Sequence, residues 1–153
     1  MRILALDLGA RRIGVAVSDP TGTVARPVGV VERQSRAEDF AAIARLVAEY
    51  GAERVIVGRP LTLRGEVGPQ ARWAEAYAQA LAEALPVPVE LWDERYTTAA
   101  AQEILKTVRR PGKRRPRGDV DAVAAAVLLQ GFLEACKNEN PAFPEGDFRK
   151  VKP

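Results

Sequence analysis

The chain opens with two short runs of apolar residues. Residues 3–8 and 13–17 are apolar and flank a tight turn that begins at Gly9. Each run is too short for a helix and is bounded by glycine or a charge, so the pattern predicts two buried strands in a hairpin. Residues 24–31 predict a third strand, in which Pro27 indicates an edge or a bulge. Three strands joined by short turns form an antiparallel meander.

Segments with the helical spacing of apolar residues then alternate along the chain with short segments typical of strands. A Ser-x-x-Glu capping box at Ser35 predicts a helix whose apolar positions continue to a stop at Gly51. Residues 54–58 predict a short buried strand, which should run parallel to the first because a helical crossover precedes it. Residues 69–85 predict a second helix, with proline at its first position. Its aromatic residues are interpreted as core, and residues 87–92 predict the fifth strand.

Two more helices are expected in the last third of the chain. One is capped at Thr97 or Thr98, and the other is strongly apolar and covers about residues 120–135. The order β-β-β-α-β-α-β-α-α predicts an α/β fold with a mixed five-stranded sheet, a three-strand antiparallel meander plus two parallel strands, flanked by helices. We expect one domain over residues 1–136. Residues 137–153 are polar, contain three prolines and predict a loosely ordered C-terminal tail.

The composition restricts the chemistry that this chain can perform. There is no histidine and only one cysteine, Cys136. This excludes Ser-His-Asp and Cys-His catalysis and metal sites built on histidine or several cysteines. Carboxylates remain, and they suit hard cations such as Mg²⁺ or Mn²⁺. No leader and no apolar stretch of membrane length is visible, so we expect a cytoplasmic protein without a membrane partner.

Three carboxylates are candidates for one metal site. Asp7 lies inside the first apolar strand, where its lost hydration must be replaced by a cation or by donors. Glu94 directly follows the fifth strand, and strand carboxyl ends gather active groups in open α/β sheets. Asp121 is predicted to lie in the first turn of the last helix, whose N-terminus can bring it to the same corner. Three adjacent carboxylates repel each other unless divalent cations neutralise them, which matches two-metal hydrolysis of a phosphodiester.

Each of these acids also has a structural interpretation. Asp7 can cap the turn that follows it or pair with a neighbouring arginine. Glu94 can pair with Arg95, and Asp121 can be a helix N-terminal acid that favours the helix dipole. Singly, each structural interpretation is favoured. The combination of the three acids, the absence of histidine and the basic segment beside Asp121 favour the metal site.

Residues 109–117 form a basic segment that we expect to face phosphates. The segment has six basic residues, two prolines, one glycine and no acid, in a chain of net charge +3. Such a segment repels itself and cannot bury a core, so it is expected to be mobile. It would contact backbone phosphates without selecting base sequence; the alternative is a solvated linker, with phosphate contacts sought around Arg11, Arg12, Arg59 and Arg95. The predicted nucleic-acid-binding residues are Arg11, Arg12, Arg95, Arg109, Arg110, Lys113, Arg114, Arg115 and Arg117.

Four motifs, which occur in order over residues 3–133, resemble the YqgF (RuvX) family. The first begins Asp-Leu-Gly-Ala-Arg-Arg-Ile-Gly at residues 7–14. The others are Val-Gly-Arg-Pro-Leu at residues 57–61, Asp-Glu-Arg-Tyr-Thr-Thr at residues 93–98 and Val-Asp-Ala-Val-Ala-Ala at residues 120–125. Any one of these pieces is a weak match, whereas the four together are specific.

The resemblance implies a ribonuclease H-like fold and a hydrolase acting on ester bonds, a nuclease that processes the 5′ end of pre-16S ribosomal RNA. By motif position, Asp7, Glu94 and Asp121 carry its catalytic and metal-binding roles. Residues 61–64 depart from the family pattern, which leaves polar contacts there open. An older assignment for the family is Holliday-junction resolution.

The partners implied by the resemblance are nucleic acid, with RNA favoured over DNA, and ribosomal precursor particles. The chain is expected to be a monomer or a homodimer. A non-catalytic RNA-binding protein of ribosome assembly that keeps the fold is the alternative from another functional class.

Overall fold

One mixed β-sheet runs through the computed structural model, which describes residues 1–59, 68–93, 117–139 and 149–151. The strands are β1 Ile3–Leu8, β2 Arg12–Ser18, β3 Ala25–Glu32, β4 Arg54–Arg59, β5 Val89–Asp93 and β6 Arg149–Val151. The described helices are α1 Arg36–Tyr50, α2 Pro69–Ala84 and α3 Arg117–Glu139. The strands lie side by side in the order β3-β2-β1-β4-β5-β6.

The first five strands have the directions that the sequence predicts. β1 pairs antiparallel with β2, and β2 pairs antiparallel with β3. β4 is parallel to β1, and β5 is parallel to β4. β3 lies at the sheet edge and contains a register shift, because Val15 pairs with Gly29 while Ala16 pairs with Pro27. Both features expected from Pro27, the edge position and the bulge, are therefore confirmed.

The sheet gains a sixth strand that the sequence pattern does not predict. β6 pairs antiparallel with β5, with Leu91 opposite Arg149. β6 belongs to residues 137–153, which were expected to form a loosely ordered tail. The prediction of a five-stranded sheet therefore omits this one strand. A three-residue strand shows too little alternation to be recognised, because its pairing depends on the partner strand. α3 also continues to Glu139, past residue 136, and the domain boundary proposed there stays a prediction.

Two apolar layers cover the two faces of the sheet. Side chains alternate along a strand, so Leu4 and Leu6 of β1 pack on one face with α1 and α2. Ile3 and Ala5 point to the other face and pack against α3. The buried sheet-facing residues of α3 are Ala125, Ala126, Leu128, Leu129, Phe132 and Leu133. The sheet is thus the middle layer, and α3 covers the face onto which β1 directs its odd-numbered residues.

Several local predictions for the helices are confirmed. Ser35 caps α1 by accepting a hydrogen bond from the Glu38 backbone N–H at 3.1 Å. Gly51 ends α1 with φ of 64°, a conformation that glycine adopts without strain. The helix expected after Thr97 or Thr98 lies outside the described residues. No helix within the described ranges combines the length and the apolar character that a membrane crossing requires.

A buried glutamine ties α3 to the beginning of β3. Gln130 accepts a hydrogen bond from the Ala25 backbone N–H at 2.9 Å. Its amide nitrogen donates to the Thr23 carbonyl at 3.2 Å. Because both bonds hold backbone groups at the sheet edge, they fix how α3 lies across the meander.

Candidate active site

β1 brings Asp7 to the sheet face that α3 covers. Asp7 is half-buried and lies opposite Gly14 of β2. It is two residues beyond Ala5, whose side chain packs on the α3 face, and residues two apart in a strand share a face. The carboxylate therefore lies beside α3, near the carboxyl end of β1.

The α3 backbone lies directly on Gly14. A Cβ atom at this position would stand only 1.9 Å from the Asp121 carbonyl oxygen and 3.2 Å from the Ala122 nitrogen. No other residue type could occupy the position without moving the helix. Gly14 is also the register partner of Asp7. One glycine therefore brings Asp7 of β1 and Asp121 of α3 to the same corner of the sheet.

Asp121 is held by an arginine from the neighbouring strand. The Arg12 Nε donates a hydrogen bond to the Asp121 Oδ2 at 2.8 Å. α3 begins at Arg117, earlier than the sequence predicts, so Asp121 is its fifth residue and does not lie in the first turn. The pair is partly exposed, so its contribution to stability is modest, about 0–1 kcal/mol. Its main consequence is to orient the Asp121 carboxylate.

The structural alternatives for Asp7 are not realised among the described residues. Arg12 pairs with Asp121 and is not the partner of Asp7. The turn that follows Asp7 is closed by a backbone hydrogen bond of 2.9 Å from the Gly9 N–H to the Arg12 carbonyl. In the part of the chain that the structure describes, no hydrogen bond or ion pair is found for the Asp7 carboxylate.

Most of the other predicted site residues lie outside the described ranges. Glu94 directly follows β5 and is one of them, so the placement of the third carboxylate stays a prediction. Arg11 is exposed in the β1–β2 turn, and Arg117 begins α3. The remaining predicted basic residues lie outside the described ranges: Arg95, Arg109, Arg110, Lys113, Arg114 and Arg115.

The carboxylates that can be located suit a hard divalent cation. Asp7 and Asp121 supply carboxylate oxygens and both reach solvent, which fits the donor preference of Mg²⁺ or Mn²⁺. Residues 1–59, 68–93, 117–139 and 149–151 alone contain no cluster of three acidic, histidine or cysteine ligands. A third carboxylate would have to come from outside the described side chains, and Glu94 is the predicted one.

Arg59, the alternative phosphate contact, is occupied by a structural role. It is only 8% exposed. Its Nε donates to Asp93 at 2.9 Å and its Nη1 donates to Glu75 at 2.7 Å. Although burial lowers the pKa of Arg59, the hydrogen bonds that it donates to Glu75 and Asp93 outweigh burial and raise that pKa above its usual value. This residue links β4, β5 and α2 and is not available at the surface.

Asp19 is a turn residue and does not belong to the carboxylate corner, the corner of the sheet where Asp7 and Asp121 lie. Its side chain accepts hydrogen bonds from the Thr23 N–H at 2.7 Å and the Val24 N–H at 2.8 Å, and from the Thr21 hydroxyl. The Thr21 hydroxyl and these backbone N–H groups lower the pKa of Asp19 well below its ordinary range. We therefore expect substitution of Asp19 to be better tolerated in catalysis than substitution of Asp7, Glu94 or Asp121.

The sequence interpretation missed a cavity on the other face of the sheet. A cavity of about 500 Å³ opens beside the turn that follows Asp7. Its lining residues are Leu8, Gly9, Ala10, Arg33, Gln70, Trp73 and Ala74. Trp73 was interpreted as core together with Tyr77; Tyr77 is fully buried, but Trp73 keeps 36% of its surface exposed. The apolar stripe of the helix does not distinguish Trp73 from Tyr77, because these residues are one turn apart on the same face.

Comparison with solved structures defines the class of fold. Thermus thermophilus RuvC in complex with a Holliday junction substrate superimposes with a TM-score of 0.58 and 18% sequence identity, covering 92% of this chain and 98% of that one. The Fowlpox virus resolvase, solved with Holliday junction DNA, gives a TM-score of 0.53 and 12% identity, covering 88% and 98%. These low identities concern the fold alone, and the fold is ribonuclease H-like, as the motifs implied.

Sequence comparison then identifies the family. The family model described as "RuvX: Holliday junction resolvase" matches residues 1–135. A Chloroflexus aurantiacus protein is 45% identical over 140 residues, covering 91% of this chain and 90% of the relative. An Anaeromyxobacter dehalogenans protein is 48% identical over 134 residues, covering 88% and 97%. Both carry the name "Putative pre-16S rRNA nuclease". This chain belongs to the RuvX family, and the resemblance in its four motifs is confirmed.

Proposed function

We propose that this chain is a nuclease that hydrolyses phosphodiester bonds with Mg²⁺ or Mn²⁺, and that it processes the 5′ end of pre-16S rRNA. Family membership and the names of relatives over about nine tenths of both chains support the activity. The observation that carries the proposal is the contact of Gly14 with the Asp121 backbone, opposite Asp7. It gathers two carboxylates from distant parts of the sequence at one solvent-accessible corner.

The proposed roles follow from the chemistry of these side chains. Asp7, Glu94 and Asp121 would hold the metal, whose bound form supplies an activated water and neutralises charge on the leaving oxygen. Arg12 orients the Asp121 carboxylate through its hydrogen bond. The basic residues of segment 109–117 would grip the phosphates that flank the reacting one.

Holliday-junction resolution is the second candidate, and the description of the matching family model favours it. The same carboxylates would act on the same bond in DNA. Ribosomal precursor particles as partners, a monomeric or homodimeric state and a cytoplasmic location belong to the first proposal and rest on the family resemblance.

A side-by-side cleavage assay tests both candidates. Single-stranded RNA, a structured rRNA precursor and a four-way DNA junction are incubated with the protein, with and without Mg²⁺ or Mn²⁺. We expect metal-dependent cleavage of the rRNA precursor near its 5′ end. Preferential cutting of the junction at symmetric positions would favour the resolvase instead.

Variants connect the activity to the carboxylates. Asp7→Asn, Glu94→Gln and Asp121→Asn should each remove cleavage while circular dichroism shows an intact fold. Asp19→Asn is the matched control, because this acid serves its own turn. Wild-type cleavage rates in the first three variants would contradict the site.

A metal titration distinguishes the enzyme from a non-catalytic RNA-binding protein that keeps the fold. Thermal stability is measured against Mg²⁺ and Mn²⁺ concentration for the wild type and for Asp7→Asn. Because a ligand that binds only the native state stabilises it, the wild type should gain stability and Asp7→Asn should gain less. An unchanged melting temperature in both proteins would favour the binding protein.

A further inference from the structure

We propose that the cavity beside the β1–β2 turn holds one unpaired nucleobase of the substrate strand. We call it the Trp73 cavity, with the seven lining residues given above. This inference rests on the proposed function, since it requires a nucleic-acid substrate. It adds a prediction about the substrate: at least one base near the cleaved bond is unpaired.

The position of the cavity is compatible with a strand that also reaches the carboxylates. Leu8, Gly9 and Ala10 line the cavity, and they follow Asp7 directly in the chain. Leu8 packs with the α1 and α2 layer, whereas Asp7 faces α3. A nucleic-acid strand that crosses the end of β1 can therefore place a phosphate on one side of the sheet edge and a base on the other.

The cavity wall has the chemistry that stacks bases. Trp73 is the most exposed aromatic side chain within the described residues. The Arg33 guanidinium lies 4.5 Å from the centre of its ring. Aromatic rings and arginine planes are the surfaces on which proteins stack unpaired bases.

Arg33 is held in place by contacts with Gly9 and Asp39. Its Nη1 donates to the Gly9 carbonyl at 3.0 Å. Its Nε lies 3.9 Å from the Asp39 carboxylate, too long for a hydrogen bond, and that nitrogen has no hydrogen-bond partner among the described residues. The arginine is therefore fixed in direction before a ligand arrives.

Asp39 orients Arg33 from behind and is not part of the cavity surface. It is 2% exposed and accepts a hydrogen bond from the Gln34 N–H at 2.9 Å. The Tyr77 hydroxyl donates to it at 3.4 Å. Burial and the nearby Asp39 charge raise the pKa of Tyr77 to about 12, so this hydroxyl keeps its proton. The buried Asp39 carboxylate thus orients Arg33, and its negative charge does not lie on the cavity wall.

The remaining lining favours a polar ligand that carries a flat ring. Among the described residues the cavity has one basic side chain and no acidic one. Gln70 offers both a donor and an acceptor, which can pair with the edge of a base. The volume lies within the usual range of small-molecule sites and is large enough for a nucleoside. A purely apolar protein side chain would offer no hydrogen bond to Gln70.

The test uses Asp7→Asn protein, in which cleavage is removed, and short single-stranded RNA with one abasic ribose moved stepwise along it. Affinity is measured by fluorescence anisotropy for this background and for added Trp73→Ala, Trp73→Phe and Gln79→Ala. Gln79 is the control, because it is exposed on α2 and does not line the cavity.

Loss of one base–aromatic stack corresponds to roughly a 5- to 150-fold weaker affinity, which is the expected effect of Trp73→Ala. Trp73→Phe should retain much of the affinity, and Gln79→Ala should bind like the background. One abasic position should cause the same loss in the background and no further loss in Trp73→Ala. The salt dependence should not change, because no phosphate contact is removed.

Equal affinity for all abasic positions, or a Trp73→Ala protein that binds like Gln79→Ala, would overturn the inference. A Trp73→Ala protein that binds RNA normally but binds ribosomal precursor particles weakly would show a protein-docking cavity instead. The proposed function fails separately, if the folded Asp7→Asn protein binds no nucleic acid or the wild type cleaves none.

Discussion

Arg12 is the side chain whose observed contact most changes the interpretation of the carboxylate corner. The sequence assigns it to phosphate binding, whereas its Nε donates to Asp121. A guanidinium at that distance orients the carboxylate, and it also places a positive charge where a divalent cation is expected. These effects act in opposite directions on metal affinity, and the charge effect should dominate because the pair is partly exposed.

We therefore expect Arg12→Gln to bind Mn²⁺ more tightly than the wild type. Because this ion pair is worth about 0–1 kcal/mol, the dissociation constant should fall by up to roughly 5-fold. Isothermal titration without substrate measures the effect, and Arg12→Lys, which keeps the charge, is the control. Weaker Mn²⁺ binding by Arg12→Gln would show that Arg12 serves the metal site by orienting Asp121.

A second side-chain prediction concerns Asp19 and pH. Its pKa is lowered in the folded state, so its contribution to stability is present above its ordinary pKa and is lost as the pH falls. Asp19→Asn should therefore be less stable than the wild type at pH 7, and this difference should shrink below about pH 4. Urea unfolding of both proteins from pH 7 to pH 3 measures it. A stability difference that stays constant over this range would mean that the ionised form is not favoured in the folded turn.

The packing of α3 on β2 depends on the missing side chain of Gly14. The helix backbone occupies the space that a Cβ would fill, and backbone atoms cannot rotate away as a flexible side chain can. The helix carries Asp121 and also Gln130, which anchors the start of β3. A displacement of this helix would therefore disturb both the carboxylate corner and the sheet edge.

Gly14→Ala should destabilise the protein by about 3 kcal/mol or more, the upper part of the range for overpacking. If the variant still folds, metal-dependent cleavage should also be lost, because α3 must move away from Asp7. Chemical denaturation and the cleavage assay measure the two effects. A Gly14→Ala protein with wild-type stability would show that α3 does not lie against this strand.

The helices and strands could be predicted where local sequence preferences and the burial of apolar residues indicate the same element. Alternating apolar residues, the Ser35 cap and the Gly51 stop belong to the local sequence, and the structure follows them. The Arg12–Asp121 pair could not be predicted, because it joins residues 109 positions apart and several acids were equally plausible partners. The exposure of Trp73 likewise depends on where neighbouring elements end. Local sequence indicates the apolar stripe of a helix, but it does not indicate which end of that stripe stays exposed to solvent.

The protein as a whole carries a small positive charge, concentrated by sequence in segment 109–117. We expect neutralisation of this segment in pairs to weaken nucleic-acid binding evenly across sequences. Each lost phosphate contact should also reduce the slope of log K against log salt by about 0.7–0.9. Binding titrations between low and high salt measure the slope. The neutralised pairs are Arg109 with Arg110, Lys113 with Arg114, and Arg115 with Arg117.

The control for these variants is neutralisation of Arg26 and Arg45, which are exposed in β3 and α1. At saturating substrate the cleavage rate should change little, because the carboxylates supply the chemistry. An unchanged affinity and an unchanged salt slope would assign the segment to a linker, and Arg11, Arg12 and Arg95 would then be the next candidates.

The irregular edge of the sheet also affects how copies of this chain can meet. A free strand edge can recruit a second chain by continuing its ladder of hydrogen bonds, which is a common route to aggregation. Pro27 offers no N–H to such a ladder, and the bulge beside it breaks the spacing that an incoming strand would need. β3 is therefore a poor template for strand addition, and sheet-to-sheet association at this edge is disfavoured. A homodimer of this chain would have to form through another surface.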